Sequence, residues 1–150
     1  MTIKETYKYL GDLRNRSSNK YETKVYDSFI NILLELDKRN FSDNEIQSIE
    51  SELESLKLKS NPRYTKRYFR KAQGKFEKFL KESFSLTTKR YYTNMGVGLG
   101  SSFGLMFGIA VLSGFERSLG ISLGLSLGMI IGLIIGRSLD AKAAKEGRVI

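Results

Sequence analysis

Residues 95–136 read MGVGLGSSFGLMFGIAVLSGFERSLGISLGLSLGMIIGLIIG. Glycine recurs at every fourth position in two columns. The first is Gly96, Gly100, Gly104 and Gly108; the second is Gly120, Gly124, Gly128, Gly132 and Gly136. Leu, Ile, Val, Met, Phe and a few Ser fill the gaps, and no charged residue interrupts 95–115 or 118–136. As helices rising about 1.5 Å per residue, the two runs are roughly 31 and 28 Å long, close to the hydrocarbon thickness of a bilayer. In water such helices are poor, because each interior Gly costs about 1 kcal/mol relative to Ala. In lipid every backbone polar group must be paired, which leaves only a helix or a closed barrel. Barrel strands alternate with period two, so a period of four selects the helix.

Other readings of this stretch fit less well. A soluble hairpin shows a polar face, and neither run has one. A flexible linker carries Gly and Ser without so much Leu and Ile. The sequence therefore predicts two transmembrane helices, 95–115 and 118–136, with a tight polar turn at Glu116-Arg117. Gly at i, i+4 and i+8 clears a groove along one helix face, letting another backbone approach closely.

The rest of the chain is unlike this segment. Residues 1–59 carry 10 basic and 11 acidic side chains, whereas 60–94 carry 10 basic and 2 acidic. The chain has no cysteine and no histidine. That removes disulfides, thiolate metal sites and the commonest general base and metal ligand. No catalytic constellation, metal set or cofactor motif is present, so a non-enzymatic protein without a cofactor is expected. The N-terminus, MTIKETYKYLGDLRNR, lacks the apolar core of a signal peptide. Gly does not follow Met1, and cysteine is absent, so no ordinary lipid anchor is expected.

Ahead of the membrane segment, residues 1–86 read as a small helical cytosolic domain. Ile3–Leu10 forms a short helix stopping at Gly11, and Asp12–Ser18 a loop. The first long helix spans 19–40, opened by Asn19 with Glu22 and faced by Tyr21, Val25, Phe29, Ile32, Leu33 and Leu36. A second spans 43–59, opened by the capping box Ser42-Asp43-Asn44-Glu45, with a seam of Ile46, Ile49, Leu53 and Leu56. Glu50, Glu52 and Glu54 on its other faces read as a solvated acidic surface. Asn61 and Pro62 then start a third helix over 62–84. Phe69, Ala72, Phe76, Phe79, Leu80 and Phe84 form its apolar stripe, and Gly74 is a weak spot or a close packing contact.

The opposite side of the third helix carries Arg63, Arg67, Arg70, Lys71, Lys78 and Lys81. The plain reading is the solvated back of a core helix. A functional reading is contact with the anionic inner leaflet, which attracts Lys and Arg at about 1 kcal/mol each near the surface. With Tyr64 and Tyr68 alongside, nucleic acid or an anionic nucleotide is the remaining candidate ligand. Lys89, Arg90, Tyr91 and Tyr92 form a basic and aromatic belt before the first membrane helix. Basic residues also flank the second helix in the tail 138–150, while the turn is neutral. The positive-inside rule thus places both termini in the cytoplasm and the turn outside, across the cytoplasmic membrane.

Tyr91–Ile150 resembles the bacterial glycine-zipper membrane proteins. The resemblance is carried by Y-Y-T before the first helix, the two G-x-x-x-G columns, and D-A-K-A-A-K-E-G-R-V-I at the end. It implies a structural anchor, an oligomeric membrane component, or a pore former. Ser118, Ser122 and Ser126 bear on the choice. Each stands two residues before a column glycine, about 200° around the helix. The second helix then has two small-residue faces, one for its hairpin partner and one for a neighbouring copy or a polar path. Alternatively, Ser there only reduces bulk and bonds its own i−4 carbonyl. The expected fold is all-α: a cytosolic helical domain followed by a two-helix hairpin with glycine packing. The expected function is a homo-oligomeric membrane protein forming a pore or channel under control of its cytosolic helices. The alternatives are a non-conducting anchor that recruits a cytosolic protein partner and a channel sensing an anionic nucleotide.

Overall fold

The computed structural model describes residues 1–60, 66–111 and 117–150. Among these residues there are six α-helices and no strand: α1 Ile3–Arg16, α2 Lys20–Asp37, α3 Asp43–Ser55, α4 Lys66–Phe84, α5 Tyr91–Val111 and α6 Arg117–Lys145. They divide into two units, Met1–Leu86 together with Ile150, and Thr87–Val149.

In the first unit, α1 opens with a reciprocal cap. The Thr2 hydroxyl accepts from the Glu5 N–H at 3.0 Å, and the Glu5 carboxylate accepts from the Thr2 N–H at 3.1 Å. The helix continues through Gly11, where the sequence predicted a stop, and takes in most of the expected loop 12–18. Leu10 and Leu13 explain this, since both are buried. Burying each contributes about 1.5–3 kcal/mol, more than the roughly 1 kcal/mol that Gly costs.

Asn19 caps α2 as expected, its side-chain oxygen accepting from the Tyr21 N–H at 3.0 Å. Glu22 does not close the box; it accepts from the Ser17 hydroxyl at 3.0 Å. The helix ends at Asp37 rather than Asn40, because the Arg39 N–H turns back to the Leu36 carbonyl in a tightened last turn.

The predicted capping box of Ser42 and Glu45 opens α3. That helix stops at Ser55, short of the expected 59. Lys57 takes a left-handed φ of 48°, and the Tyr68 hydroxyl lies 2.8 Å from the Leu56 carbonyl and 3.0 Å from that of Lys57. Leu58 is thereby buried within a short 3-10 turn, Leu58–Ser60. The predicted helix start at Asn61-Pro62 lies outside the described residues.

Tyr26, Phe29, Leu33 and Leu36 of α2 pack with Ile49 and Leu53 of α3 and Phe69, Phe76 and Leu80 of α4. Tyr26 meets Phe69 edge-on at 5.0 Å between ring centroids, and Phe29 meets Phe76 at 5.6 Å. The core tyrosine is therefore Tyr26; Tyr21, expected on this face, is 64% exposed.

In the second unit, α5 begins at Tyr91 rather than 95, and α6 runs past 136 to Lys145. Residues 138–145 are helical, not a free tail, since Ala and Lys are strong helix formers. Gly147, with φ of 67°, follows the end of the helix, and the Thr87 N–H then donates to the Arg148 carbonyl at 2.8 Å. Both α5 and α6 are long and apolar enough to cross a membrane.

Candidate functional site

The two glycine columns meet along the antiparallel contact of α5 and α6. A Cβ built on Gly96 would strike the Gly132 carbonyl; one on Gly100 would strike that of Gly128. One on Gly104 would strike the carbonyl of Gly124, and one on Gly108 that of Gly120. In the reverse sense, a Cβ on Gly124 would stand 2.6 Å from the Gly108 Cα, and one on Gly128 2.7 Å from the Gly104 Cα. Real Cβ atoms essentially never come within 3.0 Å of such neighbours, so each rung requires glycine. Gly136 continues the column against Tyr92 and Thr93, with a hypothetical Cβ 2.6 Å from the Tyr92 carbonyl oxygen. Gly98, off the column, has open space around it. The sequence left open whether the columns serve the hairpin or a neighbouring copy. In this chain they face each other.

The column does not end at Gly136. The next fourth position is Asp140, whose Oδ1 accepts from the Tyr92 N–H at 3.0 Å and whose Oδ2 accepts from the Thr93 N–H at 2.9 Å. The first N–H groups of a helix have no partner within it and carry its positive dipole end. Asp140 of α6 therefore caps α5, closing the end of the hairpin. Asp140 lies outside the residues that the sequence predicted for this contact. Its signal was the four-residue spacing carried one step beyond the glycines.

Ser118, Ser122 and Ser126 are exposed on α6, while Gly120 and Gly124 are buried. The predicted opposition of the two faces is thus present. The Ser126 hydroxyl donates to the Ser122 carbonyl at 2.8 Å, and Ser102 of α5 likewise to Gly98 at 3.0 Å. These hydroxyls are satisfied within their own helices.

On α4, Arg67, Arg70, Lys71 and Lys78 are exposed and Lys81 is half-buried. Arg63 lies outside the described residues. Lys66 and Lys75, not predicted among the contact residues, are exposed on the same helix and extend its cationic arc. Lys89 and Arg90 are exposed but belong to the second unit. Six like-charged pairs stand three or four residues apart on α4, from Lys66 and Arg70 to Lys78 and Lys81. At about 0.2–0.5 kcal/mol each, they oppose the isolated helix by roughly 1–3 kcal/mol. Glu82 offsets little of this, at 3.7 Å from Lys78 on an exposed surface. Glu77 is half-buried, and burial pushes its carboxyl above the usual carboxylate range, against the lowering effect of its hydrogen bond from Gln73. Among the described residues, no group of acidic side chains is placed to hold a metal ion. Comparison of the chain with protein-family models, curated proteins and solved structures finds no match.

Proposed function

We propose that this is a cytoplasmic-membrane protein in which α5 and α6 form a bilayer-spanning anchor. The unit containing α1–α4 and both termini lie on the cytoplasmic side, where the cations of α4 meet anionic headgroups and the unit recruits a protein partner. One observation carries this reading: the glycine faces of α5 and α6 are spent on each other within one chain, leaving large apolar side chains such as Leu99, Phe103, Phe107, Ile130 and Ile134 exposed. A lipid environment satisfies that arrangement, since helix association there depends on close packing rather than hydrophobic gain. The chain has no cysteine, which gives a clean topology test. Single cysteines replace Ser60, Glu116 or Lys145, and intact cells are treated with an impermeant thiol reagent. Only the cysteine at 116 should react. Labelling at 60 or 145 with silence at 116 would overturn the orientation.

A second reading, a homo-oligomer with a conducting path, draws on the exposed Ser face of α6. Ion flux through liposomes holding the purified protein, lost in Ser122→Leu while the hairpin stays closed, would favour it. A monomer without flux would leave the anchor.

A further inference from the structure

An open cleft of about 370 Å³ lies between α2 and α4. Tyr21 and Lys24 of α2 and Lys66 and Arg70 of α4 line one end of it, and Gln73 and Glu77 the other. The size lies at the small end of ligand pockets, which run from about 300 to 1,000 Å³. Lys66 Nζ lies 4.7 Å from the Tyr21 ring centroid, a cation–π contact that holds the ammonium beside α2. No ion pair engages Lys24, Lys66 or Arg70 among the described residues. At the far end, the Gln73 amide donates to the Ser28 hydroxyl at 2.8 Å and to Glu77 Oε1 at 2.6 Å, tying the two helices together. Seven residues separate Arg70 from Glu77, about 10 Å along the helix. The cleft therefore has a cationic end and an acidic end, and an anion is directed to the first.

Gly74 supplies an independent observation. A glycine in a helix interior costs about 1 kcal/mol and ordinarily serves close packing. Here a Cβ would meet nothing within 4 Å. Packing therefore does not account for it. Gly74 does line the cleft, and a Cβ there would stand in open space without striking the protein.

We propose that this cleft binds a phosphate-bearing anion, gripped by Lys24, Lys66 and Arg70 and admitted by the missing side chain at Gly74. Arg offers a paired donor fork to phosphate oxygens, and Lys adds charge without a fixed geometry. The proposal rests on the reading that α4 faces anionic headgroups. A lipid phosphomonoester and a soluble phosphate compound present the same group to the site.

The test uses the full chain in phosphatidylcholine nanodiscs, titrated calorimetrically with inorganic pyrophosphate or dihexanoyl phosphatidic acid. Saturable one-site binding is expected, weakened about tenfold or more by Arg70→Gln and by Gly74→Leu. Lys71→Gln and Lys75→Gln, outside the cleft, should remain within about twofold of the parent. An unchanged or higher melting temperature for Gly74→Leu shows that the fold is kept, since Leu is the better helix former. Tighter binding of the lipid identifies a headgroup site, and tighter binding of pyrophosphate a site for a soluble compound. Absence of saturable binding, or equal weakening by every cation variant, overturns the cleft. The headgroup reading is judged separately, by hydrogen exchange of α4 in nanodiscs containing phosphatidylglycerol. Protection that falls in Lys71→Gln and Lys75→Gln keeps that reading, and the calorimetry alone decides the cleft. Absence of protection rejects the headgroup reading, while pyrophosphate binding still decides the cleft.

Discussion

Gly128→Ala adds one methyl group at the middle of the α5–α6 contact. Its Cβ would stand 2.7 Å from the Gly104 Cα and nearer still to the Gly100 carbonyl oxygen. Ordinary contact begins at 3.4 Å, so the helices must part locally by roughly 0.7 Å or more, a gap that forfeits about a quarter to a half of the dispersion between facing atoms. Close Cα–H···O contacts between helices are worth about 0.5–1 kcal/mol each, and the substitution disturbs the rung at Gly128 and its two neighbours, about 1.5–3 kcal/mol in all. Ala returns about 1 kcal/mol as the better helix former. The net expectation is a loss of about 0.5–2 kcal/mol. Gly98→Ala isolates the packing term, because it brings the same helix gain and its Cβ has open space around it. The two variants should differ by about 1.5–3 kcal/mol. Dyes on cysteines replacing Ser102 and Ser126, both exposed, would report hairpin opening by energy transfer as SDS is titrated into mild detergent. Equal midpoints for Gly128→Ala and Gly98→Ala would refute the glycine contact.

Two further substitutions follow from the geometry. Asp140→Ala removes two charge-assisted hydrogen bonds from the start of α5 and should cost the hairpin about 1–2 kcal/mol in the same titration, with faster amide exchange at Tyr92 and Thr93; Asp140→Asn, with one acceptor oxygen, should fall between. Glu77 binds its proton more tightly folded than unfolded, so stability falls as pH rises from the ordinary carboxylate range through the folded pKa and is level above it. Glu77→Gln should therefore melt higher than the parent near pH 7 and converge with it towards about pH 4, followed by circular dichroism.

Much of the architecture was legible from spacing. The four-residue glycine columns specified paired helices, and Ser42 with Glu45 located the start of α3 to the residue. The misses have particular causes. Thr2-Ile3-Lys4-Glu5 is itself a capping-box pattern, but Gly11 read as a stop because the burial that outweighs it is tertiary. Nothing local marks the left-handed turn at Lys57; it exists because Tyr68, eleven residues on, reaches the carbonyls it exposes. Tyr21 and Tyr26 both fit a helical face, and only packing against Phe69 selects Tyr26. The cleft needed two helices in place before Lys24 could join Lys66 and Arg70. Asp140 was legible in principle, as the next rung, but the apolar run ends before it.

The glycines and the apolar surface together bear on what surrounds α5 and α6. Nine column glycines in helix interiors cost about 9 kcal/mol relative to Ala, comparable to the whole stability of a small domain, about 5–15 kcal/mol. Seventeen of the twenty exposed large apolar side chains among the described residues belong to these two helices. At about 1 kcal/mol for each partly exposed side chain, leaving them in water forgoes on the order of 17 kcal/mol. A hairpin in water would carry both costs. A bilayer removes the second by covering the exposed faces, and it eases the first, because in hydrocarbon the unfolded backbone has no water to bond and the helix is the only open choice. The close glycine contact then has a purpose that it lacks in water: it supplies the packing on which helix association in lipid depends. Asp140 fits the same scheme. Its rung lies just beyond Gly136, beside Tyr92 and Thr93, where an aromatic side chain favours the headgroup layer and a carboxylate can stay charged.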